Sequence, residues 1–226
     1  MIPAFIDRTD AGRRLADRLA PMSLPPPRVV LALPRGGVPI GAEVARRLAA
    51  PLDLLLVRKI GAPGQPELAV AALVEGDGPE VVVDEDTLAL SGADRRYVQD
   101  QARTQWREIE RRRALYLKGR TRPALQGATV VVVDDGIATG TTARAALQAL
   151  RRRQPGRLVL AVPVAPADTV ARLRAEVDEL VCLATPEPFR AVGLHYRDFH
   201  QVDDDEVIAA LAATDGGAAT SGSPRP

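Results

Sequence analysis

The sequence predicts an α/β fold built on a doubly wound, mainly parallel sheet, and three observations carry that prediction. Apolar runs of strand length recur at Val29–Leu33, Asp53–Val57, Val130–Val133, Leu158–Val164 and Glu179–Leu183, and the unbroken valines of Val130–Val133 have the β-branched composition of a strand buried on both faces. Helical patterns lie between them, from about Pro39 to Leu48, from Ala143 to Leu147 and, behind Asp168, over TVARLRAEV. Strand alternating with helix is the signature of parallel βαβ units. Finally, two of the strands run straight into glycine-rich turns that open a helix, so ligand-binding loops are expected at the carboxyl edge of the sheet.

Length and charge bound the rest. At 226 residues the chain suits one α/β domain with a sizeable core. We place that domain at residues 1–212, with a helical insertion over 61–120 and a disordered Gly, Ser, Ala and Pro-rich tail over 213–226. Lys and Arg number 30 against 29 Asp and Glu, so no whole-molecule attraction to nucleic acid or to an anionic membrane is expected. The single cysteine, Cys182, sits in an apolar run and reads as a core residue in a reducing compartment. The N-terminal stretch MIPAFIDRTDAGRR lacks the apolar core of a signal peptide, and no run approaches membrane-spanning length; a cytoplasmic protein is expected.

Taken in order, Asp10 precedes a short helix whose Ala11, Leu15, Ala16 and Leu19 share a face, ended by Pro25–Pro27. The strand Val29–Leu33 ends in Pro34, Arg35, Gly36 and Gly37. The run Asp53–Val57 leads into Arg58 and Lys59, and paired cations at the end of a buried strand call for an anionic partner. Strand alternation sends one of them toward the site and the other to solvent or an acid; Lys59 is the preferred one. Glu67–Val74 and Glu80–Val83 read as a hairpin. Ala93–Leu117 reads as a long helix with an apolar stripe of Val98, Ala102, Trp106, Ile109 and Tyr116. Its many arginines suggest RNA, but interleaved acids such as Glu108, four residues before Arg112, favour a solvated face.

The most informative stretch is Ala128 to Ala146. Four valines end at adjacent acids, Asp134 and Asp135, followed by Gly136, Ile137, Ala138, Thr139, Gly140, Thr141 and Thr142 and then a helix. Small residues between strand and helix bring backbone N–H groups close to an anion, and the helix N-terminus adds about half a positive charge. The threonines offer hydroxyls that also cap the helix. The loop lacks the lysine of GxxxxGK[ST], and no GxGxxG occurs. Two carboxylates beside a phosphate would repel it unless they face hydroxyls, a divalent cation or developing positive charge. A sugar phosphate offers all three.

VVVVDDGIATGTT resembles the motif of the type I phosphoribosyltransferases, which bind 5-phosphoribosyl 1-diphosphate (PRPP). The resemblance implies that Asp134 and Asp135 hold the ribose hydroxyls and Gly136 to Thr142 wrap the 5′-phosphate. It further implies that Gly36 and Gly37 receive the diphosphate through bare amides and Arg35 adds a charge, with Arg58 or Lys59 beside it. The implied reaction displaces diphosphate with a nitrogenous acceptor. The resemblance also implies Mg2+ as cofactor, bridging diphosphate and ribose hydroxyls and meeting Asp134 and Asp135 only through hydroxyls or water. A mobile catalytic loop is implied near Asp84–Arg96, and a hood, over about 184–206 plus the N-terminal segment, would line the acceptor with Phe189, His195, Tyr196, Phe199 and His200. Hypoxanthine-guanine enzymes of the family carry a general-base aspartate where this loop has Ala138, which disfavours a 6-oxopurine. The expected partners are PRPP and a small-molecule acceptor, with a homodimer left open. The alternatives are a non-catalytic PRPP or nucleotide sensor and, less well supported, an Asp134-nucleophile phosphatase.

Overall fold

The structure, a computed structural model, describes residues 4–76 and 78–218. Its centre is a parallel sheet of β1 (Arg28–Ala32), β2 (Leu52–Leu54), β6 (Thr129–Val133), β7 (Arg157–Val164) and β8 (Glu179–Ala184), in the order β2-β1-β6-β7-β8. Every valine of Val130–Val133 is fully buried, as an apolar strand between two helical layers must be. Helix α2 (Gly37–Leu48) covers one face of the sheet, together with α1 (Arg8–Leu19), while α5 (Thr141–Arg152) packs into the core on the other. The sheet is therefore doubly wound and parallel, as predicted.

This order fixes where a ligand belongs. From β1 the chain crosses outward to β2; from β6 it crosses the opposite way to β7 and β8. The winding reverses between β1 and β6, which pair in parallel from Arg28 opposite Thr129 to Ala32 opposite Val133. In open α/β sheets ligands bind outside the carboxyl ends of the strands at such a reversal, and the two loops leaving β1 and β6 meet there. Those loops are the two glycine turns of the sequence.

The run Asp53–Val57 is not one strand. Leu52–Leu54 pairs with β1, whereas β3 (Val57–Ala62) joins a second, antiparallel sheet with β4 (Gln65–Glu75) and β5 (Pro79–Val83). The handover is visible in the backbone: Leu55 N–H still donates to Ala32 of β1, and the Leu56 carbonyl already accepts from Glu75 of β4. Arg58 and Lys59 thus stand on the second sheet and not at the end of a buried parallel strand.

Elsewhere the boundaries shift in instructive ways. Asp84–Arg96, expected as a mobile loop, contains helix α3 (Glu85–Ser91), because Asp84 caps its start by accepting from the Thr87 amide and Gly92 ends it at φ 72°. Helix α4 (Arg95–Tyr116) buries Val98, Ala102, Ile109 and Tyr116, and among its arginines Arg111 and Arg112 pair with Glu108 and Arg113 with Glu75. Helix α6 (Ala167–Leu173) starts after Pro166, with Asp168 inside its first turn instead of capping it. Cys182 is half-buried, its thiol hydrogen-bonded to the Ala184 carbonyl. Helix α7 (Asp204–Ala218) runs past the expected domain end at 212, and residues 219–226 of the expected tail lie outside the described residues.

Candidate active site

The register of β1 on β6 brings the turn at Gly36–Gly37 against the acid pair. A β-carbon on Gly36 would overlap the Asp135 carboxylate, and one on Gly37 would lie 2.8 Å from the Val133 carbonyl oxygen and 3.0 Å from Asp134 Cα. Only glycine permits that approach, so PRGG and DD form one rim. Two amides near this turn are spent within the fold, however. Gly37 N–H donates to Leu33 and Val38 N–H to Arg35, so Gly37 contributes close approach and not the bare amide expected of it. Arg35 reaches Asp204 of α7 at 3.4 Å, and Tyr116 donates to the same carboxylate.

Gly136 and Gly140 take up φ 157° and 79° in the loop that follows. A β-carbon at Gly136 would meet Val192 at 2.5 Å, and one at Gly140 would meet Thr169 at 2.9 Å. Helix α5 begins at Thr141 with Gly140 as its cap, and no side chain caps it, contrary to the threonine capping expected. The hydroxyls of Thr139 and Thr141 instead stand 3.5 Å apart on the exposed surface. Helix α6 holds the loop from behind: Thr169 Oγ1 donates to the Ala138 carbonyl at 2.9 Å and Arg172 to the Thr139 carbonyl at 3.3 Å. In a trans peptide the N–H points opposite its carbonyl, so the Thr139 and Gly140 amides are turned away from α6. They join the first amides of α5, which have no partner within the helix. The result is a cluster of donors suited to a phosphate.

Both acids are strained electrostatically. Burial, aided by the charge of Asp135, pushes the Asp134 carboxyl well above the ordinary carboxylate range. Burial pushes Asp135 up as well, opposed by the guanidinium of Arg8. Arg8 is the site residue that the sequence did not reveal. Its Nε and Nη2 lie 2.9 and 2.8 Å from Asp135 Oδ2, its Nη1 donates to the His200 carbonyl at 2.8 Å, and its guanidinium sits 3.8 Å over the Phe199 ring. A signal did exist. Asp7, not Asp10, caps α1, and the stripe Ala11, Leu15, Ala16, Leu19 carried back one turn lands on Arg8. A charge on an apolar stripe needs a buried partner.

The segment around Tyr196 joins the N-terminus over the rim. Phe5 bridges Tyr196 in parallel, Phe5 N–H donates to His195, and Arg197 and Asp198 donate to Phe5 and Ile6. The Tyr196 hydroxyl donates to the Asp135 carbonyl at 2.5 Å, and burial raises its pKa strongly. Tyr196 and His195 are buried, and His195 stacks on Phe189 with ring centroids 5.3 Å apart. Phe199 and His200 are exposed, His200 between Asp198 and Glu206. On the opposite flank, Arg58, Lys59, Tyr97, Gln105 and Thr142 line one cavity of 580 Å³. There Lys59 pairs with Glu67 at 2.7 Å and Arg58 donates to Gln105 at 2.9 Å. Among the described residues no group of three or more His, Cys, Asp or Glu side chains is arranged to hold a metal, and no helix is long and apolar enough to cross a membrane.

The chain is similar to known proteins along most of its length. A family model described as the phosphoribosyl transferase domain matches residues 25–197. Two Mycobacterium tuberculosis proteins, from strains H37Rv and CDC 1551 and named provisionally as phosphoribosyl transferases, are each 52% identical over 207 residues, 92% of this chain and 46% of theirs. The chain thus spans a little under half the length of these relatives. The crystal structure of TT1426 from Thermus thermophilus is 46% identical with a TM-score of 0.81, covering 92% of this chain and 98% of that one. Since the family match takes in both turns of the rim and the strands that present them, the chain belongs to the type I phosphoribosyltransferases.

Proposed function

We propose that the protein transfers the 5-phosphoribosyl group from PRPP to a nitrogenous small molecule, releasing diphosphate, as a cytoplasmic enzyme. The observation that supports this most directly is the contact of the Gly36–Gly37 turn with Asp134–Asp135 at the point where the sheet reverses its winding. Anion donors then stand on one side of the acids, at the α5 N-terminus, and the diphosphate turn on the other. A phosphorylated pentose carrying a second phosphate group at C1 matches that order of charges.

In this reading the ribose hydroxyls donate to Asp134 and Asp135, and the 5′-phosphate accepts from the Thr139 to Ala143 amides. The leaving diphosphate faces the amides of Arg35 and Gly36, with Lys59 or Arg58 reaching it from β3. Bond cleavage at C1 leaves positive charge on the ring and negative charge on the diphosphate. The fixed acids stabilise the first and the fixed donors the second, each donor worth about 3 kcal/mol in a site closed to water. When bound, Mg2+ would supply positive charge against the departing diphosphate. Asp134 and Asp135 would hold such an ion only indirectly, through ribose hydroxyls or water, which suits a cation that keeps waters and substrate oxygens as its ligands.

Ala138 has no proton to exchange with a purine N7, so the acceptor is proposed to lie outside the 6-oxopurines. Incubation with PRPP, Mg2+ and a panel of bases, read as diphosphate release, is the test. Release dependent on one class of base supports transfer. Tight PRPP binding with no release on any base would replace the transferase by a sensor.

A further inference from the structure

We infer that Arg8 is a positioning residue for the ribose subsite: it fixes the carboxylate of Asp135 so that Oδ1 is left to accept a sugar hydroxyl, and thereby sets the preference for ribosyl over deoxyribosyl phosphates. The inference rests on the ribose role proposed above for Asp135. It concerns a residue outside the span matched by the family model, residues 25–197.

Four contacts define the guanidinium. Nε and Nη2 both converge on Asp135 Oδ2, Nη1 is spent on the His200 carbonyl, and the flat face is covered by Phe199. The Arg8 side chain is 8% exposed, and leaving this position would strip the largely buried Asp135 carboxylate of its counter-charge. Both strong bonds fall on one oxygen, and that oxygen also faces Gly36. Oδ2 is thus the packed atom and Oδ1 the one that Arg8 does not take. The backbone of the same residue is held by Tyr196 at its carbonyl, and its N–H donates to Asp134 Oδ1. Asp135 is therefore clamped at carboxylate, carbonyl and amide, the preorganisation a hydroxyl acceptor needs.

Charge gives the clamp a second effect. Two adjacent carboxylates would otherwise repel each other and turn outward in search of counter-ions. With Arg8 seated, a cation offsets the Asp135 charge and holds that carboxylate in place, pointed at the sugar. A guanidinium does this better than an ammonium, since only a planar fork supplies two donors to one oxygen and a third to a carbonyl.

The experiment compares binding of ribose 5-phosphate, 2-deoxyribose 5-phosphate, 3-deoxyribose 5-phosphate and inorganic phosphate by calorimetry, in the full chain and in Arg8→Gln and Arg8→Lys. The wild type is expected to prefer ribose 5-phosphate over at least one deoxy sugar. In Arg8→Gln, ribose 5-phosphate should weaken about tenfold or more while that deoxy sugar and inorganic phosphate are unchanged, so the preference collapses. Arg8→Lys should recover part of it. A folded Arg8→Gln with the wild-type preference overturns the inference. If Arg8→Gln melts below the assay temperature, Arg8→Lys decides: a reduced preference supports the inference and an undiminished one overturns it. A wild type that binds inorganic phosphate but shows no preference among the sugars overturns the ribose role of Asp135 itself, a separate failure from that of Arg8.

Discussion

Gly36 and Asp135, ninety-nine positions apart in the chain, are packed so closely that a β-carbon on the first would overlap Oδ2 of the second. Because Arg8 holds that oxygen from the other side, the carboxylate has nowhere to retreat. Gly36→Ala is therefore expected to push Asp135 off its position, costing about 1–3 kcal/mol of stability as an overpacked contact does. PRPP affinity should fall by more than the melting temperature alone would suggest. Calorimetric titration with PRPP alongside a thermal melt checks both; unchanged affinity would separate the turn from the site.

Neighbouring acids should respond to amidation with opposite signs. Burial raises the pKa of Asp134, so its contribution to stability is fully present below the unfolded value, about 3.9, and is lost as pH rises through the raised folded value. At neutral pH its charge works against the fold. Asp134→Asn removes that charge and keeps an oxygen to accept the Asp135 amide, now at 2.8 Å. The variant should melt higher than wild type at pH 7 to 8, by a few degrees or about 1 kcal/mol, and the two should converge near pH 4. PRPP binding should weaken. Melting curves across pH test this, and a variant less stable than wild type at every pH would refute it.

Asp135→Asn differs because Arg8 then loses its counter-charge. Leaving a buried guanidinium half-partnered costs about 2–4 kcal/mol, so this variant should melt lower while remaining folded. Its PRPP affinity is expected to drop about tenfold or more. Wild-type affinity in a folded variant would remove Asp135 from the ribose subsite.

Thr139 stands exposed beside Thr141 on the loop that α6 braces. Thr139→Val deletes one hydroxyl and keeps the shape, so PRPP should bind about tenfold more weakly, near the worth of a hydrogen bond to a charged group. An analogue lacking the 5′-phosphate should be unaffected. Equal losses for both compounds would place the threonine outside the phosphate cradle.

Lys59 and Glu67 pair in the open at 2.7 Å, and the Lys59 hydrogen bond holds the Glu67 carboxyl below its usual range. An exposed pair contributes little to the fold. Lys59→Ala should leave the melting temperature unchanged and reduce turnover about a hundredfold if its ammonium faces the leaving group. Arg58→Ala, made in parallel, shows which of the two cations on β3 serves the reaction: the variant with the larger loss in turnover at unchanged PRPP affinity identifies it.

Much of this fold is written locally. Val130–Val133 followed by paired acids, small residues and a helix is a buried strand ending in a polar loop wherever it occurs, because apolar composition and glycine chemistry act within a few residues. The same holds for PRGG after β1 and for the stripe of α4. What the sequence could not show depends on distant partners. The run Asp53–Val57 looks like one strand, yet its hydrogen bonds are divided between Ala32 and Glu75, on two different sheets. Gly37 looks like an amide donor until Leu33 takes that amide. Arg8 looks like one more surface charge until Asp7 is seen to cap α1 and Asp135 is seen to meet the guanidinium 127 positions later. Local chemistry thus determined the strands, the turns and the acids. Only the winding of the sheet decided which of them meet, since burial of a charge or an amide is settled by whatever the rest of the chain brings against it.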